Sequence, residues 1–251
     1  MDLAIAALLF SAGIAGGIVN AIAGGATLIT FPAMIAAGLP PVVANASNAL
    51  AVTPGHVFAA VADWRQLPAR NGALALIIAV AALGGAIGAV CLLVTPERVF
   101  TLLVPALIAL ATIAFAFGRH IQTILVRASS GRNAVARSAI MLPVTIYGGY
   151  FGAGLGVMLL AVLSITGRED IRAANALKNV LATATSLATI AIFIMHGLIR
   201  WPETLVMLAG AVIGGILGGR LIAILPAGVV RTAIITLGVV MTLIYAWRYW
   251  L

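Results

Sequence analysis

Apolar runs recur along the whole of this 251-residue chain, and hardly a stretch between them is polar enough to make a water-facing surface. A chain that is 63% hydrophobic and 8% charged, with a mean hydropathy of +1.21, has to use hydrocarbon as its solvent. The runs are longer than the alternating segments of a barrel and are rich in Ala, Leu, Ile and Gly, so helices are the spanning element. The fold class is therefore an all-α integral membrane bundle. The first basic residue is Arg65, so the opening "MDLAIAALLFSAGIAGGIVN" lacks the basic region of a cleavable signal and is expected to remain as the first membrane helix. Cys91 is the single cysteine, which leaves no internal disulfide and no thiolate cluster. The formal charge of +8 comes from residues lying between apolar segments, where membrane topology and anionic lipid account for them and nucleic acid need not.

Polar and Gly/Pro breaks cut the chain into apolar segments near 2–22, 25–37, 44–62, 72–94 and 99–117, then 138–153, 155–166, 173–196, 203–222 and 229–247. The longest polar stretch, 118–137, separates the two sets of five, which predicts an N-terminal unit at 1–117, a basic linker at 118–137 and a C-terminal unit at 138–251. A single offset of 130 lays "VANASN" at 43–48 on "AANALK" at 173–178, "GGAIG" at 84–88 on "GGILG" at 214–218, Pro96 on Pro226, Val99 on Val229 and Gly24 on Gly154. One ungapped register that serves several separated landmarks indicates an internal duplication. With the linker in the cytoplasm and five crossings per half, Arg65, Arg70, Arg119, Arg127, Arg132, Arg137, Arg168, Arg172, Arg220 and Arg231 fall inside, against Arg98, Arg200 and Arg248 outside. This arrangement makes the repeats inverted and puts both termini outside.

Segments 25–37 and 155–166 would reach only roughly 20 Å as helices, short of a hydrocarbon core of about 30 Å. Each follows a glycine cluster, "AGGA" or "GAGLG", and each is expected to be a half-helix of a hairpin turning within the membrane. Interrupted segments at matching places in two repeats point to a transporter's binding site. About twenty residues beyond each break comes a polar pair three residues apart on one helix face, Asn45 with Asn48 and Asn175 with Lys178, in or beside the opening turn of its helix. Lys178 is the only lysine in the chain, and a charge inside the membrane usually marks a pathway. The candidate substrate-binding set is Asn45, Ser47, Asn48, Asn175, Lys178 and Asn179, with Gly24, Gly25, Gly154 and Gly156 supplying close backbone approach at the breaks. The same residues also have structural readings: caps, interhelical hydrogen bonds, and for Lys178 a side chain snorkelling to the interface. His56 is the candidate for accepting a coupling proton. No second His or carboxylate lies at ligand spacing from it, so no metal site is expected, and no cofactor motif or catalytic constellation is present. Asp63, Glu169 and Asp170 read as solvated charges at helix ends.

The stretch "GGIVNAIAGGATLITFPAMIAAGLPPVVANASNALAV" at 16–52 resembles the opening of the sulfite exporter TauE/SafE family, and "GGYFGAGLGVMLLAVLSITGREDIRAANALKN" at 148–179 is similar to its second copy. The resemblance implies a multi-pass carrier of the bacterial inner membrane for small anions such as sulfite, organosulfonates or small organic acids. Asn at positions 45 and 48, where the family often has small or hydroxyl residues, leaves the substrate itself undefined. The expected mechanism is alternating access around Lys178, the Asn amides and backbone N-H groups, with an anion channel as the alternative. The expected partners are the anion and the bilayer, with no nucleic acid. A coupling ion, proton or sodium, and a homo-oligomeric state are left open.

Overall fold

The computed structural model describes residues 1–67, 71–128, 134–164, 171–221 and 227–251. The helices of the first half are α1 (Leu3–Ala23), α2 (Thr27–Ala36), α3 (Pro41–Ala62), α4 (Gly72–Val94) and α5 (Glu97–Ala128). Those of the second are α6 (Ala134–Tyr150), α7 (Leu155–Ser164), α8 (Ile171–Met195), α9 (Trp201–Leu221) and α10 (Ala227–Trp250). Among the described residues, six stretches are long and apolar enough to cross a membrane: Leu3–Ala21, Gly72–Val94, Glu97–Gly118, Arg172–Met195, Trp201–Leu221 and Gly228–Trp250. Large apolar side chains such as Leu3, Leu76, Val94, Leu243 and Trp247 are exposed on the outside of the bundle, as expected where hydrocarbon is the solvent. The long helix α3 is not among the six, because Asn45, Ser47, Asn48, Thr53 and His56 dilute its apolar character.

Helix boundaries differ from the sequence reading at the starts of α3 and α8 and on both sides of the stretch read as a linker, where α5 ends late and α6 starts early. Proline suits the first helical position because its missing N-H has no intrahelical use there, and α3 accordingly starts at Pro41. Since α8 starts at Ile171, Asn45 and Asn175 both lie a full turn inside their helices rather than at a cap. Helix α5 continues to Ala128, so its end runs into the stretch read as a linker, and residues 129–133 lie outside the described part. Glu169 and Asp170 also fall outside it.

The short helices form as their breaks require. Gly24 ends α1 in the left-handed region at φ +77°, with its N-H bonded to the Val19 and Asn20 carbonyls, and Gly154 takes φ +75° at the matching break before α7. Only glycine adopts that backbone freely. Helices α2 and α7 have ten residues each, which gives about 15 Å, half a hydrocarbon core. Helix α2 folds back along α1, where Gly16 lies against the Thr30 side chain.

The packing pairs exchange between the halves. Helix α1 lies along α9, and its counterpart α6 lies along α4; α3 packs on α8 and α5 on α10. In the first two pairs residue numbers rise together, Gly13 against Met207 and Gly218 against Ile18, Gly84 against Thr145 and Gly88 against Tyr150, so these helices are parallel. In the last two pairs they run in opposite senses. Asn179 Nδ2 donates to Asp63 Oδ2 at 3.4 Å, while Arg200 N, just beyond α8, donates to Ser47 Oγ at 3.0 Å. Arg231 Nη2 donates to the Ala116 carbonyl at 2.7 Å, and Trp250 Nε1 to Leu102 at 2.9 Å. Thus α3 and α8, which correspond under the 130-residue shift, are antiparallel, and so are α5 and α10.

Candidate functional site

The two breaks and the antiparallel pair α3 and α8 together enclose a cavity of about 580 Å³. Helix α8 contributes Arg172, Asn175, Lys178 and Asn179, α3 contributes Val52, Gly55, His56 and Ala59, and the break regions contribute Asn20, Gly24, Ala26 and Gly156. Lys178 Nζ donates to Asn175 Oδ1 at 3.3 Å, the i, i+3 contact expected of neighbours on one helix face. Asp63 and Gln66 line the same cavity, and the exposed side chains Gln66 and Arg172 give it an end open to solvent. Asp63 is thus a cavity residue held by Asn179, where the sequence reading had a solvated end charge.

Beyond Val52 and His56, which line both spaces, lies a second cavity of about 30 Å³. Asn45, Asn48, Thr27, Ser186 and Thr189 give it polar walls, and the backbone of Gly148, Gly149 and Gly152 closes one side. Asn45 Nδ2 donates to the Tyr150 carbonyl at 2.9 Å, and Asn48 Nδ2 to Thr27 Oγ1 at 3.4 Å. Phe151 and Phe193 close the far side, and Phe151 belongs to a buried aromatic cluster, with Phe31 edge-on at 5.3 Å and Phe100 and Tyr147 at 6.4 Å each. From the open end the order is therefore Arg172 and Gln66, the large cavity, His56, the small cavity, and then packed aromatic rings.

The structure divides the residues singled out from the sequence. Lys178, Asn175, Asn179, Gly24, Gly156 and His56 meet in the large cavity, while Asn45 and Asn48 line the small one with His56. Ser47 lines neither; its oxygen accepts the Arg200 N-H at the start of α9. Gly25 sits against the Phe115 ring and Gly154 against Ala111, both outside the two linings. Asn20, Asp63, Gln66 and Arg172 join the large cavity without having been singled out. Asn20 had a legible signal, an amide four residues before a glycine break in an otherwise apolar helix; the other three lie at helix ends, where sequence does not show which way a side chain turns. Among the described residues no cluster of three or more His, Cys, Asp or Glu could hold a metal.

This arrangement has chemical capacity for a small polar solute held by side-chain amides, an ammonium and a guanidinium, with access from one end. Among the described residues, the two linings hold no pairing of a nucleophile with a base. The model of the family described as sulfite exporter TauE/SafE matches residues 9–245. The chain is 28% identical over 249 residues to a probable membrane transporter protein of Haemophilus influenzae, covering 96% of this chain and 95% of that one. It is 27% identical over 244 residues to the probable membrane transporter protein YfcA of Escherichia coli K12, covering 94% and 87%. A part of it, 38% of the chain, is 37% identical to 16% of the probable membrane transporter protein MamO of Paramagnetospirillum magneticum. No solved structure matches the chain. The broken half-helices, the paired packing and a match running nearly end to end give one conclusion: the chain belongs to the sulfite exporter TauE/SafE family and is a multi-pass membrane transporter, not an enzyme.

Proposed function

We propose that this protein is a secondary carrier that moves a small oxyanion, sulfite, an organosulfonate or a small organic acid, across the bacterial inner membrane by alternating access. The observation that carries the reading is Lys178: the chain's one lysine lines a 580 Å³ cavity in the company of Asn20, Asn175, Asn179 and Arg172. An ammonium and a guanidinium with amide donors around them suit a solute with several equivalent oxygens, because charge-assisted hydrogen bonds are the strong ones. Ala26 and Gly156, beside the first turns of α2 and α7, bring helix N-terminal backbone to the same space.

Antiparallel packing of the corresponding pairs α3 with α8 and α5 with α10 supports inverted repeats, since parallel repeats would make corresponding helices run the same way. The basic residues then put the Arg172 end of the cavity in the cytoplasm and both termini outside. Access from that end with packed aromatic rings at the other is the inward-facing half of an alternating cycle. The outward-facing half requires the rings around Phe151 to part and the Asp63 to Asn179 contact to close down. His56, between the two cavities, stands where a proton could be exchanged with either.

Thermal unfolding of the purified protein with sulfite, sulfonates and carboxylates tests the site. One or more of these anions should raise Tm in the wild type, and Lys178→Ala should lose that rise while keeping its unliganded Tm within a few degrees. An undiminished rise in Lys178→Ala removes the ammonium from the site. Counterflow in proteoliposomes separates carrier from channel, because only a carrier exchanges labelled anion for unlabelled.

A further inference from the structure

The two amide oxygens of the small cavity have no partner among the described residues. Asn45 and Asn48 are 2% and 1% exposed, and neither Oδ1 has a hydrogen bond. The orientation of Asn45 is fixed by chemistry: the Tyr150 carbonyl can only accept, so the amide nitrogen faces it and the oxygen faces away. A buried acceptor left unmet costs about 1–3 kcal/mol, and here two stand three residues apart on one helix face. We propose that they are ligands of a sodium ion, held in the small cavity as the coupling ion of the carrier.

The counterpart site in the other half shows what chemistry the position takes. Under the 130-residue shift Asn45 corresponds to Asn175 and Asn48 to Lys178. In the second half the ammonium of Lys178 lies on Asn175 Oδ1 at 3.3 Å. The first half offers the same amide oxygen with an amide in place of the lysine, so a diffusible cation takes the place of the ammonium. Electrostatics point the same way. The C-terminus of α6, whose last carbonyls carry the negative end of the helix dipole, lies at this cavity through Gly148, Gly149 and Gly152. The N-H of Leu155, which opens α7 there, is already bonded to Gly152.

The donor set selects among cations. Side-chain amide and hydroxyl oxygens are hard ligands, and no carboxylate among the described residues lines the cavity, so a divalent ion would lack the charge it needs. Thr189 spends its hydroxyl proton on the Gly85 carbonyl at 3.0 Å, which leaves its lone pairs for a cation. Thr27 and Ser186 add two more oxygens, and about 30 Å³ has room for an ion and no more than a water or so. Sodium needs none of the imidazole, thiolate or carboxylate ligands whose spacing rules out a transition-metal site in this sequence, because amide and hydroxyl oxygens suit it. A sodium ion here and an anion in the large cavity would sit on either side of Val52 and His56, each lowering the cost of burying the other's charge. The coupling, though not the sodium site itself, rests on the carrier reading above.

The test uses the full chain in detergent, with Tm followed in NaCl against choline chloride and KCl at equal ionic strength and without anionic substrate. Sodium should give a saturable rise in Tm that potassium and choline do not. Asn48→Leu should raise the half-saturating sodium concentration at least about tenfold. Asn48→Lys, which copies the second half, should abolish the sodium response with its Tm in choline at or above that of the wild type in choline. A wild-type Tm indifferent to sodium, or responsive only to pH, overturns the proposal and leaves a water or a proton at His56 in its place; this outcome needs no variant to fold. A sodium response undiminished in both variants overturns it as well. Sodium and the anion should also raise each other's affinity by the same factor, as linkage demands. Should the anion stabilise the protein equally with and without sodium, coupling fails while the carrier reading stands; should no anion stabilise it at all, the carrier reading fails and the sodium titration still decides the site.

Discussion

Ser47 shows how one hydroxyl can do structural work inside a polar seam that otherwise faces cavities. Its oxygen accepts the Arg200 N-H, one of the donors that the start of α9 cannot satisfy within the helix. Ser47→Ala should lower Tm by about 2–4 °C, corresponding to about 1 kcal/mol for a lost partner, with anion binding retained. Loss of binding at unchanged Tm would show that Ser47 reaches the solute. The contrast with its neighbours marks the limit of sequence reasoning at this scale. "ASN" at 46–48 makes Ser47 and Asn48 equally polar, but a helix turns about 100° per residue, so one points at α9 and the other into a cavity. The direction is set by which helix lies alongside, and that is tertiary information. Lys178 was legible because a lone lysine within an apolar helix is costly to bury unless it faces a polar space. Asp63 was not, because a carboxylate beside Arg65 at a helix end looks solvated until Asn179 is seen bonded to it.

At the scale of elements the glycines separate into those that set the spacing of helices and those that touch nothing. On α4, Gly88 faces α6 so closely that an added Cβ would strike the Ile146 carbonyl and lie 2.7 Å from Tyr150 N. On α9, Gly219 has nothing within 4 Å of such an atom. Gly88→Ala should therefore cost about 1–3 kcal/mol through overpacking, while Gly219→Ala should be neutral or stabilising by up to about 1 kcal/mol from helix propensity. Thermal unfolding of the two variants side by side checks this, and equal effects would contradict the packing of α4 on α6. Both glycines belong to small-xxx-small patterns, so the pattern alone showed close packing without showing which member makes it. Element positions were far more legible. The breaks before α2 and α7 were written in glycine clusters, and the 130-residue shift carries α3 to 171–192, within three residues of α8 at Ile171–Met195. The end of α5 was not legible, because its last turns are as polar as a loop.

For the molecule as a whole, the exchange of partners means that the halves do not sit side by side. Helix α1 packs on α9 and α4 on α6, so each of these packed pairs joins helices from both halves. The inverted arrangement predicts that Gln66, near the open end of the large cavity, and Arg200, at the opposite end of α3, face different sides of the membrane. In a Cys91→Ala background, Gln66→Cys should react with an impermeant maleimide only in inside-out vesicles and Arg200→Cys only in right-side-out ones. Reaction of both from the same side would rule the arrangement out. The fold class followed from hydropathy alone, and the 130-residue correspondence between the halves from one ungapped register. What neither could supply is the depth at which Asn45, Asn48, Asn175 and Lys178 stand relative to each other, and it is this that assigns them to two spaces instead of one.

The pairing of Asn48 with Lys178 bears on how such a protein could have arisen. If a gene for one half alone made a two-chain complex, both copies would carry the same residue at that position, either two amides or two ammonium groups facing one another's cavity. A second copy of the half, in a separate gene or joined into one reading frame, releases the two positions to drift apart. If the two halves descend from one, the difference between 48 and 178 requires two separately inherited copies of the half, and it leaves the chain with an amide at one pocket where the other has an ammonium.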